Sequence, residues 1–140
     1  MFILIVGAGR VGSAVAKRAL DEGHRVSVLD EDPLSLERLN RDQADSWEDA
    51  GGRFTVGTGL EMDALIEAGI EEADAFIAST DGDNTNLVVA QIAQKRFEVQ
   101  KVIARILDPG RAAWYRDQGM DTVCPTKVAI DMLEEAVFST

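Results

Sequence analysis

A glycine motif set between an apolar run and a helical run restricts what this chain can fold into more than any other feature. Phe2-Ile3-Leu4-Ile5-Val6 is a continuous apolar stretch. Such a stretch suits a strand buried on both faces of a parallel sheet. Gly7-Ala8-Gly9-Arg10-Val11-Gly12 follows and spells G-x-G-x-x-G. From Arg10 to Glu22 the apolar positions Val11, Ala14, Val15 and Ala19 recur at helical spacing, and Gly23 closes the run. Strand, glycine turn and helix in that order form the context in which this motif holds a dinucleotide. Gly7 permits the tight turn, Gly9 lets the backbone approach a pyrophosphate, and Gly12 lets the helix pack closely on the strand. The helix N-terminus then turns free N–H groups and the positive end of its dipole toward phosphates. Arg10, in the first turn, can reach over those phosphates and pair with them.

The rest of the chain repeats the alternation. Arg25–Asp30 is a second strand, and it ends in an acid 18 residues after Gly12. A carboxylate at this spacing accepts hydrogen bonds from a ribose diol and repels a 2′-phosphate. It therefore favours NAD or an adenosine nucleotide over NADP. Pro33 opens a short helical run with Leu34, Leu36 and Leu39, and a polar stretch from Arg41 to Gly52 follows. Further strands are predicted at Arg53–Val56, Ala75–Ala78, Val102–Leu107 and Thr122–Cys124. Further helices are predicted over Leu60–Ala68, Asn84–Arg96, Ala112–Gln118 and Val128–Phe138. Strands alternating with helices imply a parallel sheet covered on both faces. Two strand-helix halves give a doubly wound, Rossmann-type α/β fold of six strands in the order 3-2-1-4-5-6. The 140 residues are read as one domain.

Composition narrows the function classes. The formal net charge of -11 gives no electrostatic footprint for nucleic acid or an anionic membrane surface. One cysteine, Cys124, and one histidine, His24, cannot build an internal disulfide or a Cys/His zinc cluster, so no metal site is expected. The longest apolar run is far too short to span a bilayer, and the N-terminus lacks the features of a signal peptide. The chain reads as soluble and cytoplasmic. Hydride transfer needs an acid or base opposite the nicotinamide. His24 lies before the second strand, at the wrong end of the sheet. Cys124 reads as a small buried residue and Tyr115 as a packing or surface residue. No catalytic residue is assigned.

Five stretches, taken in order, resemble the RCK/KTN family, the TrkA-type nucleotide-binding domains that regulate potassium channels and transporters. They are Ile3–Gly12 with Arg10 inside the motif, then Gly23–Asp30 followed by Asp32, then Val56-Gly57-Thr58-Gly59 leading into Leu65–Asp74. The fourth is Ala78-Ser79-Thr80 with Asp83 and Asn86, and the fifth is Val102–Pro109 with Arg105 inside it, then Gly119-Met120-Asp121 and Pro125. The resemblance covers nearly the whole chain. It implies that Gly7, Gly9, Arg10, Val11 and Gly12 hold phosphates. It places Asp30 on the adenosine ribose, with Glu31 or Asp32 beside the adenine and Gly57 and Thr58 flanking it. It sets Ser79 and Thr80 near the phosphates or the second ribose, with Arg105 reaching the same edge.

Two departures from the family pattern stand out. An acid often follows the strand-three glycine in the family, whereas here the run is Gly57-Thr58-Gly59. A glutamate often follows the proline after strand six, whereas here Pro125 precedes Thr126. These departures lean toward NAD(H) as ligand, with ATP, ADP or AMP as alternatives. The second, C-terminal ligand domain of many family members has no counterpart in these 140 residues, which implies either a single-domain member or the nucleotide domain of a longer chain. The resemblance implies a cytoplasmic regulatory subunit that binds nucleotide and gates a separate membrane potassium transporter or channel. It would sit at the inner membrane through that partner and pair with itself through the helices after strands four and five. An NAD-dependent oxidoreductase fragment and a ligand-free assembly module are the alternatives.

Overall fold

In a computed structural model that describes residues 1–139, the alternation resolves into six strands and six α-helices. The strands are β1 (Phe2–Val6), β2 (Arg25–Asp30), β3 (Arg53–Val56), β4 (Ala75–Ala78), β5 (Lys101–Arg105) and β6 (Asp121–Val123). The helices are α1 (Arg10–Asp21), α2 (Leu36–Asn40), α3 (Met62–Ala68), α4 (Asp83–Lys95), α5 (Pro109–Asp117) and α6 (Pro125–Phe138). Single 3-10 turns precede α2 at Pro33–Ser35 and follow α3 at Ile70–Glu72. The sheet order is β3-β2-β1-β4-β5-β6, as expected from sequence, and every neighbouring pair is parallel. Val6 pairs with Leu29 on one side and Ala78 on the other, so the carboxyl ends of the strands line up on one edge.

The two faces of β1 bury different sets of residues, as strand alternation requires. Ile5, Val26 and Val28 pack with Ala16 and Ala19 of α1, Leu39 and Trp47. Leu4, Val6 and Leu29 pack with Leu65 of α3, Leu87 and Val89 of α4 and Ala112 of α5. Helices thus cover both faces.

Several helix starts differ from the sequence reading, and capping explains them. α5 begins at Pro109 rather than Ala112, because the Asp108 side chain accepts from the Arg111 N–H at 2.8 Å. α6 begins at Pro125 rather than Val128, with Cys124 Sγ accepting from the Lys127 N–H. In both, proline takes the first helical position, where a missing N–H costs nothing. α3 starts later than expected, at Met62, because Thr58 Oγ1 holds the Leu60 N–H in a local turn.

The polar stretch from Arg41 to Gly52 holds an unexpected core residue. Trp47 is 2% exposed; its N–H is accepted by Asn40 Oδ1 and its indole Nε1 donates to the Arg53 carbonyl. A Cβ on Gly52 would lie 2.2 Å from the indole, so this stretch is built around the ring. The apolar arc of α4 is mostly turned inward: Leu87, Val89, Ala90 and Ala93 are buried, and Val88 is exposed. Instead, α6 presents Val128, Ile130, Met132, Leu133, Val137 and Phe138 at the surface. No helix among the described residues is long and apolar enough to cross a membrane.

Candidate functional site

Chain order reverses at β1, which lies between β2 and β4. Open α/β sheets bind ligands in the crevice outside the carboxyl ends of the strands at such a point. A cleft of about 450 Å³ lies there. The size falls within the range of ligand pockets. A second depression of about 390 Å³ adjoins it, and the two share Gly9, Arg38, Ser79 and Asp81.

The glycine turn forms the floor. Gly7 has φ +102°, and a Cβ there would lie 2.4 Å from the Ser79 carbonyl oxygen. Only glycine fits between the turn and the end of β4. A Cβ on Gly12 would stand 2.0 Å from the Gly7 carbonyl oxygen. The space Gly12 saves is therefore inside the turn itself, not against the strand as the motif alone suggested. A Cβ on Gly9 would meet nothing within 4 Å. Gly9 caps α1 with no side-chain acceptor, and no acid occupies the first turn. The first N–H groups of a helix have no intrahelical partner, so here they remain open to an anion.

Asp30 does more than its spacing implied. Its Oδ2 accepts from the Ala8 N–H at 2.7 Å and its Oδ1 accepts from the Asp32 N–H at 2.8 Å. The carboxylate thus ties the glycine turn to the end of β2. Each oxygen keeps a further lone pair that a diol can use. Asp32 is partly committed elsewhere, since its Oδ1 accepts from the Leu34 N–H at 2.9 Å, and Glu31 is exposed at the rim. Gly57 and Thr58 close the far wall beyond β3.

Ser79 and Thr80 close the opposite wall. Ser79 is buried, and its hydroxyl has no hydrogen-bond partner within the protein. Buried hydroxyls are normally paired, so this atom is an unsatisfied donor and acceptor in a residue that lines both depressions. Thr80 is held by Asn86, which is 1% exposed. Asn86 Oδ1 accepts from the Thr80 N–H and from Thr80 Oγ1. Its amide donates to the carbonyls of Thr80 and Arg105. Asp83, one turn earlier, accepts from the N–H groups of Leu107 and Asp108. These two side chains lock the loops after β4 and β5 together. Arg105 Nη1 donates to the Thr80 carbonyl at 3.1 Å, while its buried Nε has no partner.

The sequence-predicted residues converge. Gly7, Gly9, Asp30, Glu31, Asp32, Gly57, Thr58, Ser79 and Thr80 line the main cleft. Arg10, Val11 and Arg105 line the adjoining depression, and Gly12 supports the turn beneath them. Charge is uneven across the site: Asp30, Glu31 and Asp32 mark one end, Arg10 and Arg105 the other, with Asp81 lining both depressions 3.8 Å from Arg105. Sequence reasoning missed Arg38, which lines both depressions, and the role of Asn86. Arg38 carries no motif, and the partners of Asn86 are two backbone segments far apart in sequence. His24 lies at the opposite sheet edge beside the N-terminal amine, and Cys124 is buried at the start of α6. Among the described residues, no group of three or more His, Cys, Asp and Glu side chains is placed to hold a metal ion.

The residues present fit a nucleotide. Gly9 leaves room for a phosphate at a helix N-terminus, Asp30 stands one strand away on one side for a diol, and Ser79 stands one strand away on the other with a hydroxyl that has no partner in the protein.

Comparison with known proteins agrees. Residues 3–126 match the family described as the TrkA-N domain. The Trk system potassium uptake protein TrkA of Streptomyces coelicolor is 44% identical over 133 residues, covering 95% of this chain and 56% of that protein. This chain therefore spans little more than half the length of that curated relative. The Kef CTD of Shewanella denitrificans, in its AMP-bound form, superposes with a TM-score of 0.76 at 24% identity, covering 98% of this chain and 80% of the other. The GsuK channel bound to NAD gives 0.75 at 21% identity, covering 96% and 22%. At these identities the two solved structures speak to the fold.

Proposed function

Because the chain belongs to the TrkA-N domain family, we propose that it is a nucleotide-sensing regulatory domain of a potassium uptake system. NAD(H), or an adenine nucleotide such as AMP, ADP or ATP, binds across the carboxyl edge of the sheet. The observation that carries this reading is the open space at Gly9, between the Asp30 carboxylate and the unpaired Ser79 hydroxyl. The adenosine ribose meets Asp30, with the adenine between Asp32 and Thr58. The phosphates lie over Gly9 and the N-terminus of α1, toward Arg10 and Arg105. The nucleotides in the Kef and GsuK structures give further support to this choice of ligands.

The domain regulates rather than reacts. Bound nucleotide biases two arrangements of paired domains, and it does so only to the extent that its affinity for the two differs. The partner is a separate membrane potassium transporter or channel, which would hold the domain at the cytoplasmic side of the inner membrane. Pairing of two copies has apolar material available at Val88 of α4, Trp114 of α5 and along α6. The rival reading, an oxidoreductase fragment, draws less support. The described residues lining the cleft and the depression include no His, Lys, Tyr or Cys to exchange a proton with a substrate.

Thermal melting against NAD+, NADH, AMP, ADP and ATP tests the proposal. A ligand at 100 times its Kd stabilises the folded state by about 2.7 kcal/mol, which raises the midpoint by several degrees. No shift with any of the five at millimolar concentration refutes the sensor reading and favours the assembly module. Turnover of NADH with simple carbonyl substrates refutes it in favour of the oxidoreductase.

A further inference from the structure

Arg38 occupies a position that neither the glycine motif nor the acid at the end of β2 explains. It projects from α2 and is the one Lys or Arg among the described residues that line the main cleft, which otherwise carries Asp30, Glu31, Asp32 and Asp81. It also lines the adjoining depression, where three arginines, Arg10, Arg38 and Arg105, outnumber one acid, Asp81, which lies 3.8 Å from Arg105. It therefore stands where the acidic end of the site gives way to the basic end.

Its anchoring is specific. Nη1 donates to the Ala8 carbonyl at 3.4 Å and to Ser35 Oγ at 3.2 Å. The N–H of the same Ala8 donates to Asp30 Oδ2. Both polar groups of Ala8 are thus held from the β2–α2 side, one by the acid and one by the base. A guanidinium carries five N–H donors in a rigid fork. Among the described residues only Nη1 has a hydrogen-bond partner, so Nε and Nη2 are uncommitted on a residue that lines both depressions with Gly9.

We infer that Arg38 is a specificity-determining residue that donates to the ligand's phosphate at this junction and selects phosphorylated adenosine over adenosine itself. This rests on the nucleotide reading of the cleft. Asp30 recognises a diol whether or not phosphate is attached, and its charge repels phosphate. Arg38 offsets that repulsion at the point where the chain of phosphates leaves the ribose, with a charge-assisted hydrogen bond that adenosine cannot accept. A residue that only stapled α2 to the glycine turn would support all adenosine ligands alike.

Amide chemical-shift titration, which reads millimolar affinities, separates these roles. Adenosine, AMP and ADP are titrated into the wild type, Arg38→Gln and Arg38→Lys at two salt concentrations. The expected result is a loss of about tenfold in ADP affinity for Arg38→Gln, the scale of one charge-assisted hydrogen bond at a partly open site, with adenosine affinity unchanged. Arg38→Lys, which keeps the charge but not the fork, falls between. The salt dependence of ADP binding becomes shallower in Arg38→Gln. Equal losses for adenosine and ADP overturn the assignment and leave a staple only, as does no loss for either. Wild-type protein that binds none of the three overturns the nucleotide reading itself, a result distinct from either of those.

Discussion

Replacing Gly9 and Gly12 separately by alanine should split stability from binding, though both belong to one motif. At Gly12 the new Cβ would lie 2.0 Å from the Gly7 carbonyl oxygen, well inside the 3.0 Å below which such contacts essentially do not occur. The turn and the first turn of α1 must therefore separate by about 1 Å, and overpacking of this kind costs about 1–3 kcal/mol. The higher helix propensity of alanine returns up to about 1 kcal/mol. A 2.0 Å approach to backbone belongs to the upper half of the first range, so the net loss is about 1–2 kcal/mol, read as a fall in Tm of about 3–8 °C for a domain of this size. At Gly9 the Cβ meets nothing within 4 Å, and its φ of -71° and ψ of -162° suit any residue. Alanine caps a helix less well than glycine, but it also restricts the unfolded chain, and the two effects nearly cancel. Gly9→Ala should therefore melt within about 2 °C of the wild type, since a net change under about 0.5 kcal/mol moves Tm little. Its methyl would stand in the path of the phosphates, so nucleotide affinity should fall by at least about tenfold, or 1.4 kcal/mol. Differential scanning calorimetry and isothermal titration with ADP read the two quantities. Unchanged Tm in Gly12→Ala, or full ADP affinity in Gly9→Ala, refutes the reasoning.

Two further substitutions test the scaffold beneath the site. Asn86→Ala takes the Asn86 partner from the Thr80 N–H and the Arg105 carbonyl and leaves the Thr80 carbonyl with Arg105 Nη1 alone, and should cost about 2–3 kcal/mol in urea denaturation, the price of unpaired buried groups. Its nucleotide affinity should fall as well, because the loops after β4 and β5 come apart. Trp47→Ala empties a fully buried site and removes the clasp on Arg53, and should cost about 3–5 kcal/mol. Tryptophan fluorescence would then report Trp114 alone, which is 58% exposed and should emit near the wavelength of free indole in water.

Most of the sheet was legible because its signals are local. Continuous apolar runs at Phe2–Val6 and Ala75–Ala78, each punctuated by glycine or an acid, mark buried parallel strands without any tertiary knowledge. The glycine motif and Asp30 were legible for the same reason: turn conformation and carboxylate chemistry belong to the residues themselves. Helix starts were less so, because Asp108 and Cys124 cap through side chains whose role depends on how the chain turns. The inward arc of α4 and the exposed apolar side of α6 have similar periodicity, and only the sheet decides which of them is covered. The burial of Trp47, the bonding role of Asn86 and the placement of Arg38 lay beyond reach. Trp47 sits in a polar stretch, Asn86 bonds to backbone 6 and 19 residues away, and Arg38 reaches back 30 residues to Ala8.

The central claim is that adenine nucleotide binds at the carboxyl edge of the sheet, with its diol on Asp30 and its phosphates over Gly9. Mapping backbone amide shifts of the wild-type protein during titration with NAD+ and ADP tests it most directly. The account predicts saturable shifts centred on Gly7 to Gly12, on Asp30 to Asp32 and on Ser79 and Thr80, with α6 unmoved. Shifts confined to α6 or the opposite sheet edge, or no saturable shift with either ligand, would contradict it.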